Sequence, residues 1–191
     1  MLKLNFGMAA IVAVMAIAVV VLGVAVSIGA TGAAQQDKSK RPSPPASAEC
    51  KFADGKSVKI DYSSPRMNGR KIMGELVPYG KVWRLGANEA TSLVTTAGVT
   101  IGGLAVPAGS YTLFTVAEQM KWTLIVSKKT GEWGIPYPGE AEDLGRTEMK
   151  VSALSAPVEN FTLALDSAGP KACTLRAEWE NTRASVGVNQ Q

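Results

Sequence analysis

The sequence predicts an all-β fold, an antiparallel β-sandwich or jelly-roll-like domain carried behind an N-terminal apolar helix. Three observations predict it. After Glu49 the dominant hydrophobic period is two, turn signals separate the apolar runs, and no later segment has a long apolar stripe at helical spacing free of glycine and proline.

The elements follow in chain order. Residues Met8 to Ile28 carry no charge and no proline, and Lys3 precedes them. As a helix this run would reach roughly 30 Å, about one bilayer core. Gly32-Ala33-Ala34 fits the small residues of a signal-peptide cleavage site. The run is also long for a signal peptide, so residues 1–34 are either a cleaved signal or a single transmembrane anchor. Either way the remainder is exported. Residues 35–48 (QQDKSKRPSPPASA) hold no large apolar side chain, and Pro44-Pro45 favours an extended path, so they are read as a linker. The folded domain is then 49–191. Within it Val58, Ile60 and Tyr62 alternate with Lys59 and Asp61. The same pattern recurs at Trp122-Leu124-Val126, at Phe161-Leu163-Leu165 and at Leu175-Ala177-Trp179. Asp54-Gly55, Gly102-Gly103, Pro107-Ala108-Gly109, Thr130-Gly131 and Gly169-Pro170 supply the turns between strands.

Composition excludes several functions. The 191 residues contain no histidine, which removes histidine-based triads, imidazole-ligated zinc or haem, and imidazole pH switches. The net charge of +4 comes from scattered basic residues, so no nucleic-acid partner is expected. No metal site and no cofactor motif is read. Cys50 and Cys173 fall on the inward faces of an early and a late strand. They are either two buried thiols or, in an oxidising compartment, a disulfide.

The chemistry-bearing stretch is Pro65 to Thr91, PRMNGRKIMGELVPYGKVWRLGANEAT. It breaks strand alternation and gathers Arg66, Arg70, Tyr79, Trp83, Arg84, Asn88 and Glu89, the equipment of a polar-ligand site. The structural alternative pairs Arg84 with Glu89, lets Asn88 cap a turn and makes Trp83 a plug at one end of the sandwich. A second loop, Gly131 to Asp143, offers Trp133 and Tyr137 for sugar stacking and Glu140, Glu142 and Asp143 for a hard cation. Its alternative is aromatics packed back onto the sheet. Gly55-Lys56-Ser57 lacks the strand–helix context of a phosphate loop, and neither Ser-x-x-Lys nor Gly-x-Ser-x-Gly occurs. Glu75 and Glu89 as an acid/base pair have nothing to fix their separation. Asn160-Phe161-Thr162 matches a glycosylation acceptor but sits inside a strand pattern.

The blocks Pro65–Ile72, Leu76–Arg84 and Gly86–Thr91, followed by Pro107–Leu113, Trp122–Ile125, Gly131–Gly134 and Trp179–Arg183, resemble the bacterial family called domain of unknown function 2911. The resemblance spans about Cys50 to Val188. It implies an exported, mostly β protein and carries no activity or catalytic residue. The resulting expectation is a non-catalytic binding or structural module of the bacterial envelope, periplasmic or anchored in the inner membrane. Its partner would be a small polar ligand or an envelope component, with membrane contact through residues 1–34 if these are retained. The alternative is a carboxylate-dependent hydrolase or lyase acting on an anionic or glycan substrate, with Glu89 as acid or base and Arg84 or Arg70 holding the anion.

Overall fold

A computed structural model describes residues 37–191. The segment read as signal peptide or anchor lies outside the described residues. The domain is all-β and antiparallel, as expected. Its strands are β1 (Pro45–Lys51), β2 (Ser57–Ser63), β3 (Val82–Trp83), β4 (Thr91–Thr95), β5 (Val99–Ile101), β6 (Leu104–Val106), β7 (Gly109–Ala117), β8 (Lys121–Ser127), β9 (Asp143–Gly169) and β10 (Ala172–Gln190). Short 3-10 turns occur at Lys38–Lys40 and Glu140–Glu142, and among the described residues no helix is long and apolar enough to cross a membrane.

A sandwich or jelly roll divides its strands between two sheets. Here all ten belong to one open sheet, in the order β1-β2-β4-β7-β8-β9-β10-β5-β6. β3 pairs with Thr115 and Val116 of β7, beyond the stretch of β7 that β4 uses. The sheet closes on its own core because β1 and β2 come against the β9–β10 hairpin. Cys50 of β1 and Cys173 of β10 form a disulfide, with Cα atoms 6.5 Å apart. Leu163 N–H donates to Tyr62 Oη at 3.0 Å, and Phe161 N–H donates to the Pro65 carbonyl at 2.9 Å.

The alternating positions point where their period demands. Val58, Ile60 and Tyr62 are buried, as are Trp122, Leu124 and Val126, and Phe161, Leu163 and Leu165. Trp179 stacks on Trp83 with ring centroids 5.8 Å apart, and Phe161 meets both indoles edge-on. Such aromatic pairs add roughly 0.5–1.5 kcal/mol each beyond the area they bury. The central strands are covered on both faces. Phe114 and Ile125, the neighbours of inward-facing Leu113 and Leu124, are fully buried too. Tyr137, from the loop between β8 and β9, lies 5.1 Å from the Phe114 ring. That loop packs back onto the sheet through Tyr137, while Trp133 stays half exposed.

One boundary moves. The expected linker runs to Ala48, whereas β1 begins at Pro45, pairing with Ser63. Ala46 and Ala48 pack against the core, so small side chains on an edge strand suffice where no large apolar residue is present.

Candidate functional site

The stretch 84–90 carries two residues in left-handed backbone, Leu85 and Asn88. Trp83 is held by its indole N–H, which donates to the Gly86 carbonyl at 3.1 Å. Leu85 is fully buried with φ of 50°, a left-handed conformation that costs a branched side chain about 1–3 kcal/mol. Between these two anchors, Arg84 is turned toward a cavity of about 310 Å³. The walls include Leu76, Val77, Val82, Trp83, Ile135 and Trp179, and Arg70 reaches the same space. Gly134 forms part of the opposite side. At φ of +86° it packs so close that a Cβ there would stand 3.0 Å from Arg84 Cβ and 2.9 Å from Ala90 Cβ. Only glycine lets the two loops approach this far.

The hydrogen bonds of Arg84 define what the guanidinium can still do. Nη1 donates to the main-chain carbonyls of Asn88 at 2.6 Å and Trp133 at 3.1 Å, and the guanidinium lies over the Trp133 ring at 5.9 Å. Both N–H bonds of Nη1 are thereby used. Nε and Nη2, the edge that presents two parallel N–H bonds, have no partner among the described residues. No carboxylate pairs with Arg84 there, and residues 1–36 contain no acidic side chain. Burial without a counter-charge pulls the guanidinium below its ordinary value. Arg70 is more exposed and more committed. Its Nε donates to the Met67 carbonyl at 2.9 Å and its Nη2 to the Arg66 carbonyl at 2.6 Å, which leaves Nη1.

The other expected site residues lie elsewhere. Arg66 donates to the carbonyl and hydroxyl of Ser64. Tyr79 is exposed over Gly74, beside Glu118 and Met120 rather than Arg84. The Asn88 amide donates to the Ser43 carbonyl at 2.9 Å, with the Asn88 backbone at φ of 55°. Glu89 does not pair with Arg84. Both of its oxygens accept from Arg41 Nη1 at 3.0 Å, and Lys38 Nζ stands 2.9 Å from Oε1. Lys38 first, and Arg41 with it, hold the Glu89 carboxyl at about 2. A carboxylate that stays ionised to that pH has no proton to give near neutrality, so Glu89 is not fitted to be a general acid. Among the described residues no carboxylate lines the Arg84 cavity, and Glu75 instead meets Lys71 on the surface.

The acidic loop is also self-contained. Tyr137 Oη donates to Asp143 Oδ1 at 2.5 Å, and Arg146 pairs with Asp143 and Glu140. Among the described residues no three His, Cys, Asp or Glu side chains are grouped to hold a metal ion.

The apolar wall of Leu76, Val77, Val82, Ile135 and Trp179 is not marked as a site by the sequence. Trp179 shows there only as one apolar position of its strand, and Ile135 has no periodic context. Glu180 was missed as well. It sits at a break in the β9–β10 register with φ of 54°, and its carboxylate accepts from the N–H groups of Ile72 and Met73 at 3.3 and 3.1 Å. It pins the loop that forms the cavity's outer wall. The signal that would have found it is Glu180-Asn181 interrupting an otherwise regular alternation.

No curated protein and no solved structure gives a significant match to the chain. A family model does match residues 43–188, under the description "Protein of unknown function (DUF2911)". The match takes in every strand from β1 to β9, both loops around Arg84 and most of β10, and the chain belongs to that family.

Proposed function

We propose that this protein is an exported, non-catalytic binding module of the bacterial envelope that holds a small anionic ligand in the Arg84 cavity. The observation that carries the reading is the open Nε/Nη2 edge of a partly buried arginine that has no acidic partner. A buried cation without a counter-ion is costly, and an incoming anion relieves that cost. The absence of a carboxylate from the lining, together with the ionised state of Glu89, favours binding over acid–base chemistry. The Cys50–Cys173 bridge supports export, since such bonds persist in oxidising compartments.

The test is thermal melting of the full chain with a panel of small anions, including inorganic phosphate, sulfate and simple carboxylates. A ligand present at a hundred times its Kd adds about 2.7 kcal/mol. For a domain of this size that raises the Tm by roughly 5–10 °C. At least one anion is expected to do so for the wild type and not for Arg84→Met. A panel that leaves the Tm unchanged, or shifts both proteins equally, refutes the reading.

A further inference from the structure

The chemistry of the cavity narrows the anion to a class, an inference that rests on the binding reading above. We infer that the ligand is an amphipathic monocarboxylate, with an aryl or alkyl body seated among the cavity's apolar side chains and its carboxylate held on Arg84. Two features carry this beyond "an anion".

The first is the donor set. One partly buried guanidinium offers one fork of two parallel N–H bonds, which matches the two oxygens of a carboxylate. The second arginine, Arg70, stands toward solvent with two of its three nitrogens already donating to carbonyls. No lysine lines the cavity. A phosphate dianion would therefore enter with one well-placed counter-charge and several oxygens left without donors. Buried acceptors without donors are unfavourable.

The second is the wall. Val77 and Trp179 are buried, while Leu76, Val82 and Ile135 are exposed to solvent at 44%, 38% and 64%. Exposed apolar side chains converging on a cleft gain when a hydrophobic body covers them. A sugar or a small inorganic ion would leave them wet. The half-buried Trp83 indole, braced from behind by Trp179, adds aromatic surface to the same wall. A volume near 310 Å³ lies at the small end of small-molecule sites, which points to a compact body.

The experiment is calorimetric titration of the full chain in nanodiscs of zwitterionic lipid, with empty nanodiscs as the blank. Four water-soluble probes separate charge from body: 3-phenylpropionate, 3-phenylpropan-1-ol, acetate and inorganic phosphate. Phenylpropionate is expected to bind at least tenfold tighter than each of the other three. Arg84→Lys, which keeps the charge and loses the fork, should weaken it about tenfold. Arg84→Met should bring the acid down to the level of the alcohol. Leu76→Ala, at a wall position outside the buried core, should weaken phenylpropionate several-fold while leaving acetate unchanged. If phosphate or acetate binds as tightly as phenylpropionate and needs Arg84, the class is wrong and the anion site stands. If no probe binds, or if phenylpropionate binds equally to Arg84→Met, the class and the site both fall.

Discussion

The main-chain carbonyl of Asn88 accepts the shortest of Arg84's hydrogen bonds, 2.6 Å from Nη1, while the Asn88 side chain reaches the other way to the Ser43 carbonyl. One residue thus ties the cavity's cation to the segment that enters β1. It does so from a left-handed backbone, with φ of 55°, which asparagine tolerates better than most residues.

That pairing separates backbone from side-chain effects. Asn88→Gly keeps the left-handed conformation and loses only the amide hydrogen bond, an expected cost of about 1 kcal/mol. Asn88→Ala loses the bond and also strains the backbone, costing about 1 kcal/mol more. Urea denaturation of the two variants measures the difference. Equal stabilities would show that the φ at position 88 relaxes freely and does not hold Arg84 in place.

Glu89 gives the domain a pH dependence at its acidic end. Its carboxyl falls from the ordinary value of 4.5 to about 2, chiefly through Lys38. A depressed folded value means stability that is present above 4.5 and is lost as pH falls toward 2. The side chain is 39% exposed, so solvent screening limits the contribution to about 1 kcal/mol or less. Glu89→Gln should therefore be slightly less stable than wild type at pH 7, and the gap should close as pH falls toward 2. Added salt should shrink it at neutral pH. A gap that is constant across pH would mean that the Lys38 and Arg41 contacts do not form in solution.

Glu180 tests how the cavity's outer wall is held. Removing its carboxylate leaves the Ile72 and Met73 N–H groups without their acceptor, at about 1–3 kcal/mol. Glu180→Ala should lose that stability and show faster amide exchange at Ile72 and Met73. Glu180→Gly loses the same acceptor but relieves the backbone at φ of 54°, so it should be the milder of the two. Unchanged exchange in Glu180→Ala would assign the loop's order to packing alone.

What the sequence made legible follows the range of the forces involved. Period-two alternation placed Val58, Ile60, Tyr62, Trp122, Leu124, Val126, Leu175, Ala177 and Trp179 inward, because a strand's two faces are fixed by local geometry. Strand order was not legible, since pairing β5 with the end of β10 is a matter of long-range closure. The length of β9 was hidden where it runs past the core. From Ser152 to Ala156 the residues are mostly exposed, so no alternation marks them as strand. The site shows the same division. The 65–91 stretch stood out by composition, and it does bring Arg70, Trp83 and Arg84 to one cavity. The partners of Glu89 are not legible because residues 35–48 carry no apolar periodicity that would mark them as packed against the domain. Lys38 and Arg41 dock by charge, across a sequence separation of 48 residues in the case of Arg41.

The disulfide joins the last prediction to the question of compartment. Cys50 sits on edge strand β1 and Cys173 on β10, 123 residues apart in sequence. Closing so long a loop is worth roughly 3–5 kcal/mol in the chain-entropy model. Reduction, or Cys50→Ala with Cys173→Ala, should lower the Tm by about 10 °C. β1 should loosen first, because it has a paired neighbour on one side only. In cells, alkylation of accessible thiols followed by a non-reducing gel reads the bond directly. The full chain should carry it oxidised, and a chain lacking residues 2–34 should be retained with free thiols. The deletion changes the compartment without touching either cysteine, so the pair of results isolates export as the cause. Free thiols in the full chain would place the domain in a reducing compartment and remove the envelope from the proposed function.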